Sequence, residues 1–286
     1  MKPAPFDYVV PETLEEAVAI LRELGEDAKV LAGGQSLVPT MNMRLARPAT
    51  IVDINRLPGL GEMRSHNGSI EIGALVRQAD AEREARITEA IPLLALALPH
   101  VGHRQTRNRG TICGSLAHAD PSAEVPLVAV ALGAQIETQS PRGARRIPAG
   151  EFFDSFFTTA LAADELVTGA SFPARSKGYG YAFEEFALRH GDFAIVATAC
   201  SVRIAAGGEV EELSIVLGGV GERPHRCESD AWLGRSLGGD DIEDLAITLC
   251  ARIEPPSDLR ATAAYRRWLA QGQIRRTLSR ALEDAR

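Results

Sequence analysis

The sequence predicts a mixed helix-and-strand protein built of three consecutive units, 1–56, 57–173 and 178–286. Three observations predict it. Residues 1–56 alternate short apolar strands with amphipathic helices, and residues 57–173 mix alternating strands with Ala- and Leu-rich helices. A Pro- and Gly-containing link, Pro173 to Gly178, then precedes a β-rich run and a helical tail.

Each element follows from its residues. Phe6, Tyr8 and Val10 alternate as in a strand, and Pro11 ends it. Thr13-Leu14-Glu15-Glu16 has the form of a capping box, in which hydroxyl and carboxylate satisfy free amides at a helix start. Leu14, Ala17, Val18, Leu21 and Leu24 recur at helical spacing, and Gly25 closes the helix. Lys29-Val30-Leu31 is a strand running into Ala32-Gly33-Gly34-Gln35-Ser36, with Ser36 placed to cap a short helix through Arg44. With Ile51 to Ile54 as a further strand, the first unit reads βαβαβ. In the second unit Ser69 to Ile72 alternates like a strand, while 75–84 and 87–98 are helical. His100 to Gly114 reads as a loop, and about Ser122 to Leu132 as a helix ended by Gly133. Ala134 to Thr138 and Glu165 to Phe172 are strands. In the third unit Ala194 to Ala205 and Val210 to Leu217 are strands joined at Gly207-Gly208, and two helical stretches follow, Ile242 to Ala251 and Leu259 onward.

Composition narrows the function. The formal charge of −7 argues against a general nucleic-acid binder, which needs a cationic surface to displace counterions. Cys113, Cys200, Cys227 and Cys250 lie too far apart for CxxC or iron–sulfur spacing, so no metal is expected on this chain. No apolar run approaches the roughly 18 residues of a membrane span, and the start lacks a signal-peptide pattern. The expectation is a cytoplasmic protein. Motifs for a dinucleotide-binding Rossmann unit, a P-loop, a zinc protease and a serine hydrolase are all absent, and no nucleophile–base pair is evident.

Two short segments remain, Ala32-Gly33-Gly34-Gln35-Ser36 and Thr111-Ile112-Cys113-Gly114-Ser115. Each combines glycine with a terminal serine ahead of a predicted helix. Glycine admits a ligand close to the backbone, and bare amides there suit phosphate. Either segment alone also reads as an ordinary glycine turn. Together they are the arrangement that would grip a diphosphate from two sides.

At these residues the chain resembles the FAD-binding medium subunits of the molybdenum hydroxylases, the family of carbon monoxide dehydrogenase and xanthine dehydrogenase. The matching stretches are Leu31-Ala32-Gly33-Gly34-Gln35-Ser36-Leu37, Arg107 through Thr111-Ile112-Cys113-Gly114-Ser115 to Pro121, and Gly191-Asp192-Phe193-Ala194. The resemblance extends along the whole chain. It implies an α+β fold, with a two-subdomain FAD-binding region of the vanillyl-alcohol oxidase (PCMH) type and a small α+β C-terminal domain. It implies that 31–37 and 111–115 wrap the FAD diphosphate, with the Ser36 and Ser115 hydroxyls taking part. By the same resemblance Glu124 is an acceptor for a ribose hydroxyl, His118 and Asp120 belong to the cofactor loop, and Phe193 packs on the flavin with Asp192 beside it. Glu124 also reads as a dipole-favoured helix-start residue, and Phe193 as a buried core aromatic.

The implied function is electron transfer, with no catalytic residue on this chain. Partners would be a large molybdopterin subunit and a small subunit with [2Fe–2S] clusters, in a dimer of heterotrimers, with an external acceptor reoxidising the flavin. Two other readings stay open: a free-standing flavin oxidoreductase of this fold, and an assembly subunit without cofactor. Two departures from the family bear on them. Cys113 replaces a usual glycine: if the position needs a left-handed backbone the cysteine strains it by about 1–2 kcal/mol, and if not the thiol is a small tolerated side chain near the phosphates. Glu185 stands where some relatives carry a lysine near the flavin, and an anion there makes reduction harder.

Overall fold

The computed structural model describes all residues, 1–286. The chain opens with β1 (Asp7–Val9), α1 (Leu14–Leu24), β2 (Ala28–Leu31), α2 (Leu37–Asn42) and β3 (Thr50–Asp53). β3 lies between β1 and β2 and runs parallel to both. At the start of α1 Thr13 Oγ1 accepts the Glu16 amide. The reciprocal bond to the Glu16 carboxylate comes from the amide of Glu12, one residue earlier than the capping box expects. Ala17, Val18 and Leu21 carry the buried face, and Gly25 ends the helix at φ 55°.

The helix predicted from Ser36 through Arg44 is shorter. Ser36 has helical backbone angles and its side chain caps nothing. Arg44 adopts φ 60°, which a right-handed helix cannot continue.

The middle of the chain begins with β4 (Met63–His66) and β5 (Ser69–Gly73), followed by α3 (Gln78–Arg83), α4 (Ala85–Ala90) and α5 (Pro92–Ala97). These three replace the two longer helices read at 75–84 and 87–98. Extended backbone at Glu84 makes the first break, and non-helical Ile91, forced out by Pro92, makes the second. The stretch read as a loop contains α6 (Arg104–Arg109) and the start of α7 (Ile112–His118), and α8 (Glu124–Leu132) ends on left-handed Gly133. After β6 (Gln135–Ser140), β7 (Gly143–Pro148) and α9 (Ala149–Phe152) comes a small hairpin, β8 (Phe153–Ser155) with β9 (Thr158–Thr159). β10 (Leu166–Pro173) then returns to the centre of an antiparallel sheet ordered β4-β5-β10-β6-β7.

The last part is an antiparallel sheet of β11 (Tyr179–Phe186), β12 (Val196–Ile204), β13 (Val210–Gly218) and β14 (His225–Arg226), with α10 (Gly239–Cys250) and α11 (Ala263–Asp284). The sheet is buried on both faces, so β12 is buried at every position from Val196 to Val202 with no inside–outside alternation. On one face Ala182, Val196 and Val202 join Leu269, Ile274 and Leu278 of α11. On the other, Tyr181, Phe183 and Ala197 join the core that holds Leu94 and Val125. α8, buried along nearly its whole length, is the wedge between the two sheets. No helix is long and apolar enough to cross a membrane.

Candidate functional site

The first glycine segment leaves β2 at the carboxyl edge of the small parallel sheet, where α/β sheets place ligand crevices. Gly34 adopts φ 71°, a conformation that side chains disfavour. Gly33 is needed for a different reason. A Cβ there would lie 2.5 Å from the Arg109 carbonyl oxygen and 2.8 Å from the Gly110 Cα, so the absent side chain lets this segment touch the end of α6. The N–H groups of Gly33, Gly34, Gln35 and Ser36 donate to no acceptor within the chain. Half-exposed amides in a row, left free by the fold, are donors for an anion.

A cleft of about 430 Å³ opens beside them, lined by Leu31 to Gln35 together with Tyr8, Asp53, Asn55 and Arg109. Asn55 Nδ2 donates to the Ala32 carbonyl at 2.9 Å. Arg77 donates to Asn55 Oδ1 at 2.6 Å and to the Arg109 carbonyl at 2.7 Å, which ties the loop to α6. Tyr8 donates its hydroxyl proton to Asp53. Burial works to raise Asp53, but the bonds from Tyr8 and Asn55 outweigh it and hold the carboxyl below its ordinary value. Apart from Arg109, which falls in the stretch that carries the resemblance, none of these residues stands out in the sequence. The one available signal is the position of Asp53 at the end of a parallel strand.

The second segment is not a loop leading to a helix but the opening of α7 itself. Thr111 caps it, its Oγ1 accepting the Gly114 amide at 2.9 Å, and a Cβ on Gly114 would lie 2.6 Å from that oxygen. The Ile112 amide is spent on the Val76 carbonyl. Thr111, Ile112 and Cys113 are buried, whereas Gly114 and Ser115 are half-buried; both their amides are spent on Thr111, which leaves the Ser115 hydroxyl as the free donor. The connection is therefore helix–turn–helix, with Arg109 and Gly110 meeting Gly33 at the turn.

Cys113 falls on the unstrained side of the two readings. It lies within α7, its backbone is not left-handed, and its thiol points into the core toward the Ile72 carbonyl at 3.6 Å. Burial pushes that thiol up to about 12, so it stays protonated.

The remaining candidates spread along the seam between the sheets. His118 packs on Phe157 with ring centres 5.0 Å apart, and burial lowers its basicity. Asp120 accepts the Ser122 amide at 2.8 Å and shapes the turn between α7 and α8. Glu124 begins α8 and is 6% exposed. Asp192 and Phe193 lie on the loop between β11 and β12. Phe193 is 56% exposed, which overturns its reading as a buried core aromatic. This loop lines neither the cleft nor the contact between the glycine segments. It reaches the far end of α6, where a Cβ on Gly191 would lie 2.6 Å from the His103 ring.

Glu185 of β11 has one carboxyl oxygen buried and without a hydrogen-bond partner. Burial first and Glu124 second push its carboxyl up to about 8. Burial likewise raises Glu124 to about 7, against the pull of its own helix-terminal amide. These carboxyls bind protons more tightly in the folded chain than at their ordinary value of 4.5. The stability they contribute is full below about pH 4.5 and is lost as pH rises through about 7 to 8. Glu185→Gln is expected to flatten that decline, measured as the midpoint of urea unfolding against pH. A decline as steep as in the unaltered protein would contradict it.

Residues 4–175 match the family described as FAD binding domain in molybdopterin dehydrogenase, and residues 181–281 match the CO dehydrogenase flavoprotein C-terminal domain. The chain is 40% identical over 288 residues to the 6-hydroxypseudooxynicotine dehydrogenase complex subunit alpha of Paenarthrobacter nicotinovorans, covering 100% of this chain and 97% of that one. It is 35% identical to the carbon monoxide dehydrogenase medium chain of Hydrogenophaga pseudoflava, covering 98% of each. A solved carbon monoxide dehydrogenase from Hydrogenophaga pseudoflava superimposes with a TM-score of 0.96 over 99% of both chains, at 35% identity. Quinoline 2-oxidoreductase from Pseudomonas putida 86 does so with 0.93, over 100% of this chain and 99% of that one, at 32% identity. The chain belongs to the FAD-binding subunits of the molybdenum hydroxylase family of oxidoreductases.

Proposed function

We propose that this chain relays electrons through FAD, from iron–sulfur clusters in a partner subunit to an external acceptor. The observation that supports the reading is the contact at Gly33, which sets the first glycine segment against Arg109 and Gly110, just ahead of the second, and the row of amides there without internal acceptors. That donor set fits a diphosphate. Gly33, Gly34, Gln35 and Ser36 would hold it from one side, and the Ser115 hydroxyl, beside the bare Gly114, from the other. Asn55 and Arg77 keep the two sides in register, and Arg109 adds a cation at the rim. Units 1–56 and 57–173 would carry the cofactor, and 178–286 would cover it, with Phe193 and Asp192 facing the flavin. When bound, FAD supplies the ability to collect electrons singly and pass them on singly or in pairs. The chain supplies binding, orientation and local charge, so no acid, base or nucleophile is required of it.

The partners in this reading are a large molybdopterin subunit, where substrate is hydroxylated, and a small [2Fe–2S] subunit, assembled as a dimer of heterotrimers in the cytoplasm. The test is reconstitution. A complex lacking this chain should reduce its clusters with substrate yet fail to reduce an external acceptor, and adding the FAD-loaded chain should restore turnover. Undiminished acceptor reduction without the chain would contradict the relay.

A further inference from the structure

α2 ends in a way that its own packing does not require. Past its cap residue Met43, the Arg44 amide donates to the Met41 carbonyl and the Leu45 amide to the Thr40 carbonyl, each at 2.9 Å. That pair of bonds is a Schellman closure, whose left-handed residue is most often glycine. Here the residue is Arg44, at φ 60°, and its Cβ makes the conformation costly. The next residue of such a closure commonly packs back on the last turn of its helix. Leu45 instead is 76% exposed, and Met43 is 51% exposed. A strained turn thus carries two apolar side chains that the fold leaves in solvent, and strain of this kind points to a use elsewhere.

Cations flank the two side chains. Arg44 Nε donates to the Lys2 carbonyl at 3.4 Å, and Arg47 Nε donates to the Arg44 carbonyl at 3.0 Å. Within the chain both guanidiniums find only these carbonyls, and no carboxylate neutralises them. Segments 1–6 and 36–49 contain Lys2, Arg44 and Arg47 and no acidic residue, in a chain whose formal charge is −7. The turn is also set apart from the cradle. Thr40, whose carbonyl closes it, donates its amide at 3.1 Å and its hydroxyl at 3.0 Å to the Ser36 carbonyl, where the row of free amides ends. Turn and cradle occupy opposite ends of α2, about 9 Å apart along a six-residue helix.

Met and Arg are enriched where proteins meet, and a few anchoring side chains seated in pockets carry most of the binding. The apolar pair alone would not name its partner, but the cations do. The complementary surface carries carboxylates around an apolar pocket. A symmetric contact with a second copy would set the same cations against one another, which opposes self-pairing through this turn.

We propose that the Met43–Leu45 turn is a docking knob for a partner subunit that presents an apolar pocket rimmed by carboxylates. The inference rests on the reading of this chain as one subunit of a larger assembly. Leu45 enters the pocket, Met43 packs at its edge, and Lys2, Arg44 and Arg47 meet the acidic rim. The left-handed angles at Arg44 are what turn Leu45 away from its own helix.

The experiment titrates the FAD-loaded chain onto the complex purified without it, at about 0.1 M salt, where exposed charges still act across the contact. Leu45→Asp alters an exposed side chain away from the cradle, so it should keep the fold and the flavin. Its binding should be weaker by about tenfold or more. Arg44→Gly should raise the urea midpoint of the chain, because glycine accepts the left-handed angles, and yet bind more weakly, because a rim cation is gone. A residue that served the fold alone would not separate those two readouts. Leu45→Asp binding as tightly as the unaltered chain overturns the knob, and Arg44→Gly binding as tightly overturns the acidic rim. A dimer of the chain by itself that Leu45→Asp dissolves overturns the choice of partner. An unaltered chain that joins no partner subunit overturns the assembly and this inference together.

Discussion

Gly33→Asp should yield a folded protein that does not retain FAD. The added Cβ would sit 2.5 Å from the Arg109 carbonyl oxygen, a backbone atom that cannot swing aside, so the first glycine segment and the end of α6 must part. The new carboxylate would then face the diphosphate that the free amides are arranged to receive. Like charges set against each other in a binding site cost several kcal/mol. A loss of about 4 kcal/mol is roughly a thousandfold in affinity. The measurement is the flavin-to-protein ratio of the purified complex, with circular dichroism to establish the fold. Full flavin content in Gly33→Asp would contradict the placement of the diphosphate.

The second large effect is on stability. Arg266 of α11 is 2% exposed, and its guanidinium donates to the carbonyls of Ile195 at 2.5 Å and Gly219 at 3.0 Å, and to Asp258 at 2.7 Å. It fastens the long helix to the corner where β12 begins and β13 ends. Those carbonyls have turned away from strand pairing, and Arg266 reaches both. Arg266→Leu keeps much of the volume but leaves two buried acceptors unpaired, at about 1–3 kcal/mol each. The expected loss is about 3–5 kcal/mol, a large part of the 5–15 kcal/mol typical of a domain. Urea unfolding reads it directly, and a loss below about 1 kcal/mol would contradict this account of the corner.

What the sequence made legible was local. The strand–helix alternation of the first unit, the capping of α1, Gly133 as a helix stop and the hairpin at Gly207-Gly208 all depend on neighbours a few residues apart. Both glycine segments were legible for the same reason, since glycine needs no distant partner to mark a close approach. α6 was not. Its six polar residues have no apolar period, and its buried member, Arg107, pairs with Glu82 across 25 residues. The opening of α7 was misread as loop because Thr111 and Gly114 look alike as a turn and as a helix cap. β11 escaped because both its faces are covered, one by α11 and one by the core around α8, so it lacks a simple alternation. The burial of Glu124 and of one Glu185 oxygen is wholly tertiary, and no neighbour of either residue announces it.

The central claim is that the free amides after β2 and the opening of α7 hold the cofactor's diphosphate between them. A structure of the assembled, FAD-loaded complex tests it most directly. Diphosphate density is expected within hydrogen-bonding distance of the Gly33 to Ser36 amides on one side and of the Ser115 hydroxyl on the other. Density for the diphosphate anywhere else on the chain, with those amides left to water, would contradict it.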